Sequence, residues 1–339
     1  MKIKFVNSDI ANNFFIISNL AEWHFSCRRE YNRKWLDLTG KLNSEERQAI
    51  KVFKGLMKKY GFDRRDPKAG YLGGIFLSGF SPVKVWRELK IKLPISDYRK
   101  TRFVFDVFSK RYKQIKNLIS QSERRKRILI LSSAINKSKN KKIIKELDCI
   151  FGERSSEKEI KVVIIFSPLD SKETAAGGAN VDGDVVTFEV PELEKDSLNL
   201  DISIGILFHE IIHIFFNELD IRKAIAEKIK KLGLPQKPGG DVPFSTAITV
   251  NEILINCFAP FGFLTKKYYG LKFYKEIFSP VNLSLLKEAY LKFRRGENFN
   301  IYRLIKYFAW RLSPLVERYV KLYGPGNEKI IKIIVEKLK

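Results

Sequence analysis

The stretch "GILFHEIIHIFFNELD", beginning at Gly205, constrains this chain most: an apolar helical run interrupted by His209, Glu210 and His213. Leu or Ile would pack at those positions at no cost, whereas an imidazole or carboxylate taken out of water needs a partner there. Any fold must therefore bring such partners to the middle of a buried helix. On a helix, residues i and i+4 lie one turn apart on the same face, so the two imidazoles can aim at one point. Glu210, next to the first of them, cannot easily join as a further ligand but can reach a water held between them. The HExxH spacing thus reads as a metal site with its proton acceptor: His209 and His213 on Zn2+, Glu210 as general base. The chain has three histidines, and the third, His24, lies far upstream.

A catalytic zinc normally takes three protein ligands and leaves one position for water. The longer pattern HExxHxxGxxH needs Gly at 216 and His at 219, where this chain has Phe216 and Leu219. Glu218 and Asp220 follow the motif too closely to fold back onto it. Two carboxylates remain, Asp241 in "GGDVPF" and Glu252 in "TVNEILIN". On a helix capped by Ser245, residues Ser245, Thr249, Glu252 and Asn256 form one polar stripe between Val250, Ile253, Leu254, Ile255 and Phe258. A stripe hemmed in by apolar side chains is expected to point into a site. That makes Glu252 the expected third ligand and Asp241 the alternative. Asn256, one turn after Glu252, is placed to hydrogen-bond a metal-bound imidazole and orient it.

With these residues the sequence resembles the gluzincins, the thermolysin-like zinc metallopeptidases that carry HExxH on one helix and a glutamate on a later one. The matching positions are His209, Glu210, His213 and Glu252, and the resemblance covers about residues 160–260. Asn256 stands where such enzymes place an aspartate. The resemblance implies zinc, a water nucleophile and peptide-bond hydrolysis. It also implies an edge strand before the HExxH helix that holds extended substrate by its main chain, a place that "DVVTFEV" occupies here. Members of the group stabilise the oxyanion with His, Tyr or Arg. No histidine remains for this, and spacing does not choose among Tyr268, Tyr269, Tyr302 and Tyr307.

Periodicity places the motif in an α+β protein, predominantly helical, with a small sheet packed beside the zinc-site helix. Residues 1–155 read as a basic, mostly helical region. "SEERQAIKVFKGLMKKYG" carries apolar residues at helical spacing, with Ser44 as its cap. "KAGYLGGIFLSGFSP" reads as a loop or tight packing element, without a phosphate-loop pattern. Residues 156–262 read as the catalytic core. Its strands are "KVVIIFSPL" and Val185 to Val190, with a turn at Asp182-Gly183. The motif helix starts at Asp201 or Ser203 and ends near Glu218; a second helix stops at Gly233. Residues 263–339 read as helical and packed on that core. No apolar run reaches the length of a bilayer span, and "FFIISNLA" near the N-terminus is short and crowded by Asn12 and Asn13. Cys27, Cys149 and Cys257 are isolated, which disfavours a disulfide framework. A soluble cytoplasmic protein is the expected class.

Charge supplies the competing reading. Residues 1–150 carry 35 basic and 14 acidic groups, residues 151–250 carry 11 and 17, and residues 251–339 carry 17 and 7. Basic flanks around a mildly acidic middle suit an acidic partner or nucleic acid, with Arg124-Arg125-Lys126-Arg127 as candidate phosphate contacts. The expected function is a zinc-dependent peptidase acting on a peptide or protein. The alternative is a non-enzymatic basic binding protein with a structural or vestigial zinc site.

Overall fold

A computed structural model describes the chain except residues 24–26, 61–71, 171–175, 180–183, 220 and 243, with only the backbone of 154 and 176–179. In chain order the elements are β1 (Lys2–Asn7), α1 (Asp9–Ala21), α2 (Arg29–Thr39), α3 (Ser44–Tyr60), α4 (Leu72–Leu77) and α5 (Pro82–Lys92). They continue with α6 (Ile95–Leu118), α7 (Gln121–Ile135), α8 (Ser138–Phe151), α9 (Glu153–Ser156), β2 (Glu159–Phe166), β3 (Ala176–Ala179) and β4 (Val185–Val190). The last are α10 (Leu198–Glu218), α11 (Ile221–Lys231), α12 (Thr246–Asn256), α13 (Phe263–Ile277), α14 (Pro280–Arg294), α15 (Ile301–Tyr323) and α16 (Glu328–Lys337). The protein is predominantly helical with one small sheet. His24, Asp220 and the Asp182-Gly183 turn lie outside the described residues.

Two compact units share the chain: a sheet unit of residues 3–132 and 160–200, and a helical unit of residues 1–2, 133–159 and 201–339. The division expected near residues 155 and 262 is not the one they follow. Residues 156–262 are shared between them, because β2 and β4 join the N-terminal helices while α12 packs against α15 and α16. The sheet falls in one unit and residues 201–218 of the motif helix in the other.

In the sheet unit the strand order is β1-β2-β4-β3. Ile160 and Val162 to Ile165 are fully buried, the continuous apolar run that a parallel strand covered on both faces requires. β2 pairs in parallel with β4, from Lys161 against Val185 to Phe166 against Val190. β3 pairs antiparallel on the other side of β4. β4 is thus an interior strand, which corrects the expectation that "DVVTFEV" offers a free edge. Both its main-chain faces are already used.

The apolar N-terminal stretch is a core helix. Asn12 on α1 donates from Nδ2 to the Ile164 carbonyl at 2.9 Å, and Phe166 N donates to its Oδ1 at 2.9 Å. One asparagine thereby ties α1 to β2, filling main-chain positions that would otherwise be unpaired. Two smaller expectations shift. The α3 cap is Asn43, whose Oδ1 accepts from Glu46 N while Asn43 N donates to the Glu46 carboxylate, a reciprocal capping box. "LGGIFL" is a short helix, α4, with Leu72, Ile75 and Phe76 buried.

Helix α10, of which residues 201–218 belong to the helical unit, starts earlier than expected, with Ser197 Oγ accepting from Leu200 N. It is consequently long and apolar enough to cross a membrane, although 72% of that window is buried within the protein. A helix apolar on all sides belongs in a core. Phe215 and Phe216 pack on Phe151 at ring-centroid distances of 4.8 and 5.6 Å, and Phe216 meets Phe258 at 5.6 Å.

Candidate metal centre

His209 and His213 emerge from the middle of α10, only 8% and 7% exposed. Their rings meet edge to face, centroids 4.7 Å apart, with the two Nε2 atoms 3.1 Å from each other. α12 supplies the carboxylate. Ser245 caps it, its Oγ accepting from Ile248 N at 3.2 Å. About two turns later Glu252 sets Oε2 at 3.2 Å from His209 Nε2 and Oε1 at 3.2 Å from His213 Nε2.

The two Nε2 atoms thus lie 3.1 Å apart, and each sits 3.2 Å from a different oxygen of the Glu252 carboxylate. Ligands about 2.0–2.1 Å from a tetrahedral zinc ion sit about 3.3 Å from one another. The spacing fits such an ion with little adjustment, and the set of two imidazoles and one carboxylate is one that zinc takes. Among the described residues no other His, Cys, Asp or Glu joins the group.

Ring orientation decides whether Nε2 is free to bind a cation. His209 Nδ1 lies 3.2 Å from the Ala259 carbonyl, which can only accept, so Nδ1 carries the proton and Nε2 keeps its lone pair. Gly205 makes that contact possible. It lies one turn before His209 on the same face, and a Cβ there would meet Pro260 Cβ at 2.7 Å. His213 Nδ1 lies 3.4 Å from the side-chain amide of Asn251, whose Oδ1 is buried with no partner among the described residues. Turning that amide over puts the orphaned oxygen on the Nδ1 proton, and amide orientation is a choice that heavy-atom positions leave open. The unpaired Oδ1 is the mark of a site built to hold His213 with Nε2 free.

Electrostatics agree with a liganding carboxylate. Burial pushes Glu252 up, but the neighbouring imidazoles outweigh it and hold the carboxyl well below the usual range. Burial likewise pushes His209 down. The hydrogen bond and charge of Glu252, the charge of Glu210 and the Ala259 carbonyl reverse this and hold it above its ordinary value.

Other expected residues stand elsewhere. Asn256 does not reach an imidazole: its Nδ2 donates back to the Glu252 carbonyl at 2.8 Å, a local bond within α12. Asn251 takes the position expected for it, and its signal was an asparagine adjoining Glu252 in an apolar segment. Ala259, a main-chain partner, leaves no residue-type signal at all. Asp241 is engaged at the start of α15, accepting from Asn300 Nδ2 at 2.7 Å and Ile301 N at 3.0 Å. Glu210 is 8% exposed on the same turn as His209. The four tyrosines have partners of their own. Tyr268 bonds Glu146, Tyr269 donates to Asn140 at 2.6 Å, Tyr302 packs on Phe244, and Tyr307 stacks on Tyr290. Compared with protein-family models, curated proteins and solved structures, the chain matches none, so its own geometry carries the functional argument.

Proposed function

We propose that this chain is a zinc-dependent peptidase of the gluzincin type, with His209, His213 and Glu252 holding the metal. The observation that carries this reading is the Glu252 carboxylate, brought from a separate helix to 3.2 Å from both imidazoles of an HExxH pair. Zinc bound there would supply Lewis-acid charge that acidifies water and polarises a carbonyl. Ala259 and Asn251 hold the two rings so that Nε2 of each faces inward. Glu210 is the proton carrier. It takes a proton from the water whose oxygen attacks the scissile carbonyl carbon, and returns it to the amine nitrogen as the carbon–nitrogen bond breaks. The Glu252 side chain keeps 24% of its surface exposed, so the group is not fully sealed from solvent.

The rival reading, a structural metal in a basic binding protein, draws on the burial of both imidazoles. Its expected phosphate contacts are fewer than the sequence suggests, since Arg124 and Arg127 are buried and only Arg125 and Lys126 are exposed. One experiment separates the two. Wild-type protein loaded with zinc is assayed on a denatured-protein substrate beside Glu210→Gln. The expected result is equal zinc content and loss of hydrolysis by at least about a hundredfold in the variant. Equal activity of the two proteins refutes the mechanism, and zinc retention with no hydrolysis by the wild type favours the rival.

A further inference from the structure

Two arginines of the basic run turn inward in the sheet unit, and they do different things. Arg127 is satisfied: Nη1 donates to the Ser167 and Val190 carbonyls at 3.1 Å each, closing the carboxyl ends of β2 and β4, and Nε donates to Glu123. Arg124 is not. It is 8% exposed, and its guanidinium has five N–H donors, but the Lys116 carbonyl is its one acceptor among the described residues. Its Nε is buried with no partner among the described residues. It lies over the Phe166 ring at 5.3 Å and forms no ion pair with a described residue. Asp9, close enough to act on it through charge, is bonded instead to Lys116 and to Tyr112. A cation held out of water in this way lacks the counter-charge that such burial demands.

Arg124 lines a cavity of about 460 Å³ beyond the carboxyl ends of the parallel pair β2 and β4. Ligands of open sheets with parallel strands gather at that end. Ile16, Trp35, Leu38, Ile115 and Leu118 make most of the wall apolar. Asp37, Asp170 and Glu192 also border it, as do Lys34, Lys116 and Arg127. Lys116 is paired with Asp9, Arg127 with Glu123, and Lys34 donates to the Pro168 carbonyl, which leaves Arg124 as the cation in the wall still lacking an acceptor for its Nε. One unpaired guanidinium in an apolar chamber matches one negative charge on an apolar body. We infer that this cavity binds a small amphipathic carboxylate of the medium-chain fatty-acid kind, with its head on Arg124 and its chain against Trp35, Ile115 and Leu118.

Titration calorimetry of the 339-residue chain with laurate, and with dodecanol as the uncharged control, tests this. The expected result is one laurate per chain, with dodecanol at least about tenfold weaker. Arg124→Met should lower laurate affinity to that of dodecanol. Leu38 is 64% exposed, so Leu38→Glu should weaken laurate binding with an unchanged circular-dichroism melt, and it decides the matter if Arg124→Met does not fold. Equal affinity for acid and alcohol, binding without saturation, or wild-type affinity in a folded variant overturns the inference.

Discussion

The side-chain amide of Asn251 lies 3.4 Å from His213 Nδ1, on the opposite side of the ring from the nitrogen that faces Glu252. A partner on the outer nitrogen sets both the tautomer and the direction of a liganding imidazole. Asn251→Leu should therefore lower zinc affinity about 10- to 100-fold, measured by competition with a chromophoric chelator. Asn256→Leu, which loses only a bond to its own helix, should stay close to wild type. The reverse order would return the orienting role to Asn256.

Gly205 lets α10 approach the segment that follows α12. Alanine is the better helix former by about 1 kcal/mol, but its Cβ would stand 2.7 Å from Pro260 Cβ. Overpacking of this kind costs about 1–3 kcal/mol. Gly205→Ala should lower the urea midpoint and weaken zinc binding together, because the displaced segment carries the Ala259 carbonyl. A variant more stable than wild type would show that the contact relaxes freely.

In the sheet unit Arg111 grips Glu46 with both arms, Nε to Oε1 at 2.6 Å and Nη2 to Oε2 at 2.8 Å, both side chains buried. Burial pushes Glu46 up, yet the Arg111 bonds and the Asn43 main-chain bond hold it below the ordinary value of 4.5. A carboxyl lowered in the folded state stabilises fully above its unfolded value and loses that contribution as pH falls through the folded one. Arg111→Met leaves the carboxylate buried and alone, a loss of about 3–5 kcal/mol at neutral pH. Protonation then relieves the variant while it weakens the wild type. The stability gap between them, read from urea unfolding, should narrow as the pH drops below 4.5. A gap that widens with acid would mean that Glu46 is not the group responsible.

Metal removal should be visible without any substrate. Zinc bound to the folded chain alone adds about 2.7 kcal/mol at a free concentration 100 times its dissociation constant. Chelator should therefore lower the unfolding midpoint and excess zinc restore it, with His213→Ala indifferent to both. An identical zinc response in that variant would place the ion elsewhere.

Local patterns were legible where neighbouring residues alone decide. The helical spacing of His209 and His213, the polar stripe that singled out Glu252, the Ser245 cap and the strands Glu159–Phe166 and Val185–Val190 all follow from short-range periodicity. The Asn43 cap was one residue away from the expected Ser44, because hydroxyl and amide caps compete locally on nearly equal terms. The basic run from Arg124 misled for a different reason. Residues three apart share a helix face, and whether that face meets water or the ends of two strands is not written within the run.

What the sequence by itself determined is the cost that had to be met: two imidazoles and a carboxylate in an apolar helix require distant polar partners, and Glu252 was the fitting acid. Tertiary structure alone decided which groups meet the remaining needs, Asn251 rather than Asn256 for His213 and a main-chain carbonyl for His209. It also made β4 an interior strand and left Arg124 Nε buried without a partner among the described residues. The physical reason is the same in each case. Hydrogen bonds and ion pairs act over about 3 Å, and the approach of separate elements to that distance is set by the packing of their whole surfaces.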